Sequence, residues 1–497
     1  MYLNCHSYHS LRYGTIPLDE LVEQAAKLNL KTLALTDIHT VTGIYDFYKL
    51  CKQRGIKPLV GMEFREANTL LYIGLAKTAA GVAEMCRWLT EYNLSGEQLP
   101  EYAPDFKDTF IVYPFAKHPA QLKAHEFVGI NGEELKTLFP REIEAVLNKL
   151  VILHPVTFRT KKEFNLHRIL RAIKGNTLLS KQTASDYCRP NEVMLPEAAL
   201  LDGFSDYPQI IHNTEYMIRA CNYEFVFGVS RNKKFYTGTK PADRLLLENL
   251  AHTGLVKRYG KDHKEAKKRV EKELKVIDDL NFSSYFLITW DIIRYSNSLG
   301  FMHVGRGSGA NSIVSYCLGI TDICPIELDL YFERFLNENR KSPPDFDIDW
   351  SWQERDTILE YIFKRFGAEY VAFCGTNVEF KYRSIFREVG KVFGLAKEEL
   401  DALAKKRMQQ EHDNSIVRLV TEYGKMLEKY PNQRSMHSCG IIISEEPITN
   451  FTVLEMPPKG FPIVLFDMYV AEDIGFYKFD ILSQRVLVTI SDAVKII

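Results

Sequence analysis

Three aspartates alternate with large apolar residues in the stretch Asp345-Phe-Asp-Ile-Asp-Trp350. Alternate side chains of a strand share a face, so the spacing predicts Asp345, Asp347 and Asp349 on one side of a strand. Neighbouring carboxylates would lie about 7 Å apart and repel by roughly 2–3 kcal/mol at an effective dielectric of about 20. The face is therefore either an exposed acidic edge strand or a site neutralised by Mg²⁺ or Mn²⁺.

A glycine-rich loop, Gly305-Arg-Gly-Ser-Gly309, lies upstream of the acidic strand and leads into an apolar run that begins at Ile313. Backbone N–H groups in such a loop bind phosphate oxygens, and Arg306 and Ser308 add a guanidinium and a hydroxyl. The loop is neither a Walker A motif nor a dinucleotide fingerprint. An ordinary tight turn would explain the loop alone, whereas a loop paired with metal-binding carboxylates favours phosphoryl transfer.

The bulk properties restrict the class of protein. A chain of 497 residues is too long for one core, so about two to four domains are expected. The net charge of -1 gives no indication of a nucleic-acid partner, so any basic surface must be local. The sequence lacks a secretory signal and an apolar run of roughly 18 residues, which argues against a membrane protein. Nine cysteines without a CxxC pair favour a reducing, cytoplasmic location.

Strand and helix signals alternate in the first part of the chain. Helical spacing covers residues 18–28 and 43–54, and short buried strands are predicted at residues 32–36 and 57–64. Repeated strand–helix units suggest a parallel α/β layer or barrel that extends to about residue 230. Residues 241–280 are helical in pattern and highly charged, which is typical of a solvated helix face.

Several ordered motifs resemble the C-family of bacterial replicative DNA polymerases, the family of the DNA polymerase III alpha subunit. The resemblance runs through the whole chain and is most specific between residues 285 and 485. The motifs are Tyr285-Phe-Leu-Ile-Thr-Trp-Asp, Gly305-Arg-Gly-Ser, Tyr316-Cys-Leu-Gly-Ile-Thr-Asp, Phe332-Glu-Arg-Phe-Leu-Asn, Pro344-Asp-Phe-Asp-Ile-Asp, Arg387-Glu-Val-Gly-Lys, His437-Ser-Cys-Gly and Lys478-Phe-Asp-Ile-Leu.

The resemblance implies a multidomain α/β fold with five segments. A PHP (polymerase and histidinol phosphatase) domain, a distorted (β/α) barrel, is expected at residues 1–230, followed by a helical connector at 231–280. An α+β palm of the polymerase-beta-like type is expected at 281–376 and 441–497. A helical thumb is inserted into this palm at 377–440.

The resemblance also implies the roles of particular residues. Asp345, Asp347 and Asp480 correspond to the family's catalytic aspartates and would hold two Mg²⁺ ions. A second group corresponds to nucleotide-binding and phosphate-binding positions: Arg306, Gly307, Ser308, Lys381, Arg383 and Arg387. Salt-bridged surface residues are the alternative interpretation of the last three.

The expected PHP metal site is degenerate. Intact members bind up to three metals, and four of their ligands correspond here to His6, Asp37, His39 and Glu63. Other ligand positions hold Asn4 and Ile38, and the late Asp-x-His segment reads Leu153-His-Pro-Val-Thr157. We therefore expect this metal site to be lost or weak.

The resemblance implies template-directed DNA synthesis from deoxynucleoside triphosphates on a primed template. A sliding clamp and a proofreading subunit would be partners of the full-length protein. Two alternatives remain: a metal-dependent phosphoesterase or 3′–5′ exonuclease in the PHP domain, and a non-catalytic scaffold. Because the fingers and later domains of the family are not recognisable in these 497 residues, the isolated chain is expected to extend primers barely or not at all.

Overall fold

The computed structural model describes residues 1–337, 345–405 and 415–496, without the side chains of residues 383, 404, 405 and 495. The chain folds into two compact units. Unit 1 comprises Met1–Phe225, Thr376–Ser435 and Thr449–Met456, and unit 2 comprises Val226–Gly375, Met436–Ile448 and Pro457–Ile497. Among the helices in the described part of the chain, none is long and apolar enough to span a membrane.

The strands follow in chain order: β1 (Thr32–Leu35), β2 (Lys57–Glu66), β3 (Thr69–Ala76), β4 (Thr109–Pro114), β5 (Glu126–Ile130), β6 (Leu150–Ile152), β7 (His303–Arg306), β8 (Asp347–Ser351), β9 (Val371–Glu379), β10 (Pro431–Ile443), β11 (Leu454–Glu455), β12 (Ile463–Val464) and β13 (Phe479–Gln484).

The α-helices are α1 (Leu18–Lys27), α2 (Ile44–Gln53), α3 (Ala79–Ser95), α4 (Gly132–Leu135), α5 (Pro140–Val146), α6 (Lys161–Gly175), α7 (Glu197–Asp202), α8 (Pro208–Ala220), α9 (Lys240–Tyr259), α10 (Lys264–Asp279), α11 (Ser283–Ser298), α12 (Ile313–Cys317), α13 (Arg355–Phe366), α14 (Tyr382–Val392), α15 (Lys397–Lys405), α16 (Ser415–Leu427), α17 (Met468–Ile474) and α18 (Arg485–Ile496). Short 3-10 helices lie at Phe115–Lys117, Leu147–Lys149, Leu179–Lys181, Gly307–Asn311, Phe332–Arg334 and Ile448–Asn450.

Unit 1 contains a curled half-barrel sheet in the order β1-β2-β3-β4-β5-β6. The pairs β1–β2, β4–β5 and β5–β6 are parallel, whereas β2–β3 and β3–β4 are antiparallel. Residues 4–6 join its two ends: Thr36 N donates to Cys5 O over 3.0 Å, and His6 N donates to Val156 O over 2.8 Å. The sheet is therefore mixed, and the uniformly parallel layer suggested by the strand–helix repeats is wrong at β3.

The predicted elements at the start of the chain are confirmed within a few residues. Helices α1 and α2 lie within the predicted residues 18–28 and 43–54, and β1 and β2 occupy the predicted strand positions. The charged stretch at 241–280 forms α9 and α10. It is not wholly a solvated face, because Glu273 of α10 is completely buried.

Unit 2 is built on a sheet whose strands run β12-β9-β10-β13-β8-β7. Strands β13 and β8 are parallel, and each has an antiparallel neighbour on its other side, β10 and β7 respectively. The predicted alternation in the acidic strand is confirmed, since Phe346, Ile348 and Trp350 are 3% exposed or less and belong to one apolar core.

An aromatic stack lies next to the acidic residues. Tyr285 of α11 stacks on Phe346 with ring centroids 5.3 Å apart, and its ring lies 4.6 Å from that of Phe479. The backbone N–H of Phe346 donates to the Tyr285 hydroxyl over 3.2 Å. Phe346 precedes Asp347, and Phe479 precedes Asp480. The stack therefore fixes where the two aspartates lie relative to each other along their neighbouring strands.

We expect Phe346→Ala to destabilise unit 2 by about 3–5 kcal/mol, because it leaves a cavity within the stack. Tyr469→Ala is the matched control, since Tyr469 is 73% exposed in the same unit. Urea unfolding of both variants measures the difference. Equal stability of the two variants would show that the stack contributes nothing to the position of the acidic strand.

Candidate active site

Four residues form one row across four neighbouring strands of unit 2. Asp480 of β13 lies opposite Asp347 of β8 on one side and opposite Gly440 of β10 on the other. Arg306 of β7 lies opposite Asp347. Residues in register on adjacent strands point to the same face of a sheet, so the two carboxylates are brought together by strand register rather than by loop geometry.

Asp345 completes a group of three carboxylates. It lies just before β8, and its carboxylate oxygens approach those of Asp347 and Asp480, with one oxygen from each residue within 4.8 Å of the others. Asp480 is buried at 5% exposure, and the other two are half-buried. The three aspartates that the resemblance assigned to catalysis therefore converge in the structure.

Lys478 supplies positive charge at the centre of this group. Its ammonium donates to Asp345 Oδ2 over 3.1 Å and makes a short contact with Asp480 Oδ2. Desolvation lowers the pKa of Lys478, but the two carboxylates outweigh it and raise the pKa above the usual lysine value. One ammonium thus bridges two of the three aspartates.

Arg306 bridges the other side of the group. Its Nε donates to Asp349 Oδ2 over 2.7 Å, and its Nη1 donates to Asp347 Oδ2 over 3.2 Å. Asp349 is 4% exposed. The exposed acidic edge strand, one of the two alternatives for this face, is wrong for Asp349: the strand alternates as predicted, but Asp349 is buried in its ion pair with Arg306.

Negative charge remains incompletely compensated at this site. Burial, and then the neighbouring carboxylate of Asp480, raise the pKa of Asp345 above its usual value. Burial likewise raises the pKa of Asp347. Among the described residues, the buried Oδ1 atoms of Asp345 and Asp349 have no hydrogen-bond donor. A divalent cation would relieve the repulsion at Asp345 and Asp347 and would supply the partner that Asp345 Oδ1 lacks, so this oxygen-rich ligand set fits Mg²⁺.

The glycine-rich loop packs directly against the carboxylates. Gly307 has a φ of +76°, and a Cβ at this position would lie 2.7 Å from Asp347 Oδ2, so only glycine fits. Ser308 Oγ donates to the backbone oxygen of Asp345 over 3.5 Å. The structure therefore brings Arg306, Gly307 and Ser308 beside the aspartates, where the resemblance placed the nucleotide phosphates.

The start of α12, which follows this loop, is occupied by a buried carboxylate. Glu273 Oε2 accepts from Val314 N over 3.2 Å and from Ser312 Oγ over 2.8 Å. Burial raises the pKa of Glu273 to about 7, although Arg269 lies beside it. Phosphate binding was predicted for a loop that enters a helix, but Glu273 already accepts a hydrogen bond from a backbone N–H of that helix. The prediction therefore stays with the loop itself.

The three basic residues predicted downstream lie in unit 1. Arg387 of α14 pairs with Asp401 over 3.4 Å, and Lys381 is exposed immediately before α14. The side chain of Arg383 lies outside the described part of the chain. Their role in nucleotide binding remains a prediction.

The residues expected as PHP metal ligands are bonded to protein donors. Glu63 accepts from Asn4 Nδ2 over 2.8 Å and lies 2.9 Å from His6 Nε2. Asp37 accepts from Ser7 and Ser10, with hydroxyl distances of 2.6 Å. His39, whose pKa is lowered to about 4 by burial, lies outside this pairing and accepts from the backbone N–H of residue 65 over 2.9 Å.

A guanidinium lies against the PHP glutamate. Arg65 contacts Glu63 through a short ion pair and donates to the Tyr13 hydroxyl over 2.9 Å. Burial alone would raise the pKa of Glu63, but Arg65 and His6 hold it well below its usual value. With one cation already paired with Glu63 and an amide at position 4, the residues present do not fit a metal cluster.

No role was predicted from the sequence for Arg65, Glu273 or the His437-Ser-Cys439 segment. Residues two apart on a strand share a face, so the sequence could have predicted that Arg65 lies beside Glu63 on β2. The same spacing could have predicted the pairing of His437 with Cys439 on β10. For Glu273 no such signal existed, because its partner amides lie on another helix.

Comparisons with known proteins identify two domains. A family model described as the PHP domain matches residues 3–145, and one described as the bacterial DNA polymerase III alpha NTPase domain matches residues 245–483. The DNA polymerase III alpha subunit of Bacillus subtilis is 29% identical across the whole chain and 49% of its own length. The error-prone DNA polymerase of Symbiobacterium thermophilum is 28% identical across the whole chain and 52% of its length.

These matches define a mixed α/β protein in which a PHP domain precedes a polymerase domain. The chain contains a PHP domain and a bacterial DNA polymerase III alpha NTPase domain, and relatives named DNA polymerase III subunit alpha match it along its whole length, as its motifs predicted. The Escherichia coli K12 alpha subunit is also 28% identical over the whole chain and 49% of its own length. The chain thus spans about half the length of the curated relatives it matches.

We expect Glu273→Gln to remove a pH dependence from the stability of unit 2. The folded pKa of about 7 exceeds the usual 4.5, so the folded state binds the extra proton between these values and the free energy of unfolding falls as pH rises through that window. Relative to the variant, the wild type should lose roughly 2–3 kcal/mol between about pH 5 and pH 8. Thermal unfolding measures this, with the exposed Glu271→Gln as control. A wild-type-to-variant difference that is the same at both pH values would contradict it.

Arg65→Met should destabilise unit 1 by about 3–5 kcal/mol, because it removes the guanidinium beside the completely buried Glu63. The double variant Glu63→Gln, Arg65→Met should recover most of that loss. Arg54→Met, which removes an exposed ion pair with Glu23, is the control and should cost no more than about 1 kcal/mol. Chemical denaturation of the variants measures the coupling, and additive losses in the double variant would refute the ion pair.

Proposed function

We propose that the protein containing this chain is a DNA-directed DNA polymerase that adds deoxynucleotides to a primer in replication. The observation that carries the proposal is the convergence of Asp345, Asp347 and Asp480 beside the glycine-rich loop. Carboxylates that share divalent cations next to phosphate-binding backbone are the apparatus of nucleotidyl transfer. That the polymer is DNA is inferred from the names of the relatives, which are DNA polymerases.

The three aspartates would hold two Mg²⁺ ions, which when bound would lower the pKa of the primer 3′ hydroxyl and stabilise the leaving phosphates. The donor set supports this assignment, because the buried Oδ1 of Asp345 has no donor of its own among the described residues. Lys478, which bridges Asp345 and Asp480, keeps the two carboxylates close without a metal. The protein therefore presents an assembled site rather than one built by metal binding.

The glycine-rich loop would receive the triphosphate. Arg306 is held by the buried Asp349 and leaves part of its guanidinium exposed beside Asp347. Its fixed position favours a phosphate oxygen over a random surface contact. Ser308 and the backbone at Gly307 would add uncharged donors. Asp349 thus acts as a positioning residue for Arg306 rather than as a metal ligand.

The domain roles complete the proposal. Residues 281–376 and 441–497 would form the palm, 377–440 the thumb, 231–280 a connector and 1–230 the PHP domain. Primed DNA and deoxynucleoside triphosphates would be substrates, and the full-length protein would work with a sliding clamp and a proofreading subunit in the cytoplasm. A metal-dependent nuclease in the PHP domain is disfavoured, because its remaining ligand atoms are bonded to protein donors.

Asp347→Asn in the full-length gene product should reduce primer extension by more than about a hundredfold, because it removes a charged metal ligand from the site. Asp356→Asn, an exposed carboxylate on α13, is the charge-matched control and should extend normally. A gel assay on a primed template reads both variants. Near-normal extension by Asp347→Asn, with its fold intact by circular dichroism, would remove the proposed function.

A further inference from the structure

A second group of metal-binding side chains adjoins the carboxylates. The ligand atoms of His437, Cys439 and Asp480 all lie within 4.8 Å of one another. Cys439 Sγ lies 3.3 Å from Asp480 Oδ1, to which its thiol donates, and 3.7 Å from His437 Nδ1. Asp480 is therefore shared between this imidazole–thiol pair on β10 and the aspartates of β8.

The distances match the edges of a coordination tetrahedron. With zinc–sulfur bonds of about 2.3 Å and zinc–nitrogen or zinc–oxygen bonds of about 2.0–2.2 Å, adjacent ligand atoms of a tetrahedral ion lie about 3.6 Å apart. The two observed edges at Cys439, 3.3 and 3.7 Å, lie on either side of that value. Two of the three edges are thus already spaced for one small ion, and the third, between His437 and Asp480, is within 4.8 Å.

Gly440 leaves the space between these ligands open. A Cβ at this position would lie 3.0 Å from His437 Nδ1 and 3.5 Å from Asp480 Oδ1. Any other residue would therefore put a carbon atom within 3.5 Å of both ligand atoms. The absence of a side chain at Gly440 and the three metal-binding groups around it are two independent observations that point to the same site.

We propose that His437, Cys439 and Asp480 bind Zn²⁺, or another thiophilic divalent cation such as Co²⁺, at a site that shares Asp480 with the proposed Mg²⁺ site. The thiol proton leaves to solvent as the metal–sulfur bond forms. His437 Nδ1, which accepts from Gly440 N over 2.9 Å without the metal, turns its lone pair to the ion. A nitrogen–sulfur–oxygen set favours these ions over Mg²⁺, which requires oxygen ligands.

The thiol supports this selectivity. Cys439 is buried, and its Sγ lies close to both His437 Nδ1 and Asp480 Oδ1. Only a cation with a strong bond to sulfur displaces the thiol proton that Asp480 accepts. Occupancy also draws Asp480 away from Asp345 and Asp347. If the proposed function holds, Zn²⁺ would therefore inhibit the polymerase by removing a shared ligand.

Titration of the purified 497-residue chain with Co²⁺ tests the site directly. One equivalent should produce a near-ultraviolet thiolate-to-cobalt charge-transfer band together with visible bands of tetrahedral intensity. Zn²⁺ should abolish both, whereas Mg²⁺ in large excess should not. This readout is independent of DNA synthesis, so its failure would reject the site while leaving the proposed function standing.

Two variants make the assignment specific. Cys439→Ser should abolish the charge-transfer band, and Gly440→Ala should do so without removing a ligand, because its Cβ fills the space for the ion. Cys374→Ala is the control, since Cys374 is another buried thiol of unit 2 and should keep the band. Circular dichroism verifies the fold of each variant. A wild-type chain without the band, or a Cys439→Ser variant that retains it, would overturn the proposal.

Discussion

Repulsion among carboxylates on two adjacent parallel strands governs the arrangement of the candidate active site. The register of β13 and β8 places Asp480 opposite Asp347, and Asp345 joins them within 4.8 Å. Such a concentration of charge is unfavourable unless cations occupy it. Lys478 and Arg306 supply two of them, and the aromatic core on the other side of the strands keeps the carboxylates from separating.

The buried acids of the PHP domain, Glu63 and Asp37, are stabilised by protein groups instead of by a metal ion. Glu63 is completely buried, yet His6, Asn4 and Arg65 surround its carboxylate with donors from the chain itself. No oxygen of Glu63 or Asp37 appears among the buried unpaired atoms of the described residues, whereas Asp345 keeps one. The two sites therefore differ in whether hydrogen bonds from the protein reach every buried carboxylate oxygen. They do so in the PHP domain, whereas the group of Asp345, Asp347 and Asp480 leaves an oxygen that fits a metal ion.

The sequence predicted the parts of this site that depend on local pattern. Alternation alone placed Asp345, Asp347 and Asp349 on one face, and the family resemblance added Asp480 from a distant strand. Pattern could not reveal that Asp349 is buried, because its partner Arg306 arrives from another strand. Nor could it distinguish Glu273 from the solvated acids of the same helix. The burial of Asp349 and Glu273 depends on residues that are distant in the sequence, so the local sequence pattern cannot predict it.

Binding of divalent cations by Asp345, Asp347 and Asp480 can be measured by counting Mn²⁺ on the purified chain, using electron paramagnetic resonance of the free ion. We expect saturable binding that Mg²⁺ competes away. This binding should be lost in Asp347→Asn and retained in Glu63→Gln, which alters the PHP centre instead. Equal Mn²⁺ binding by the wild type and Asp347→Asn would show that Asp345, Asp347 and Asp480 do not hold the metal.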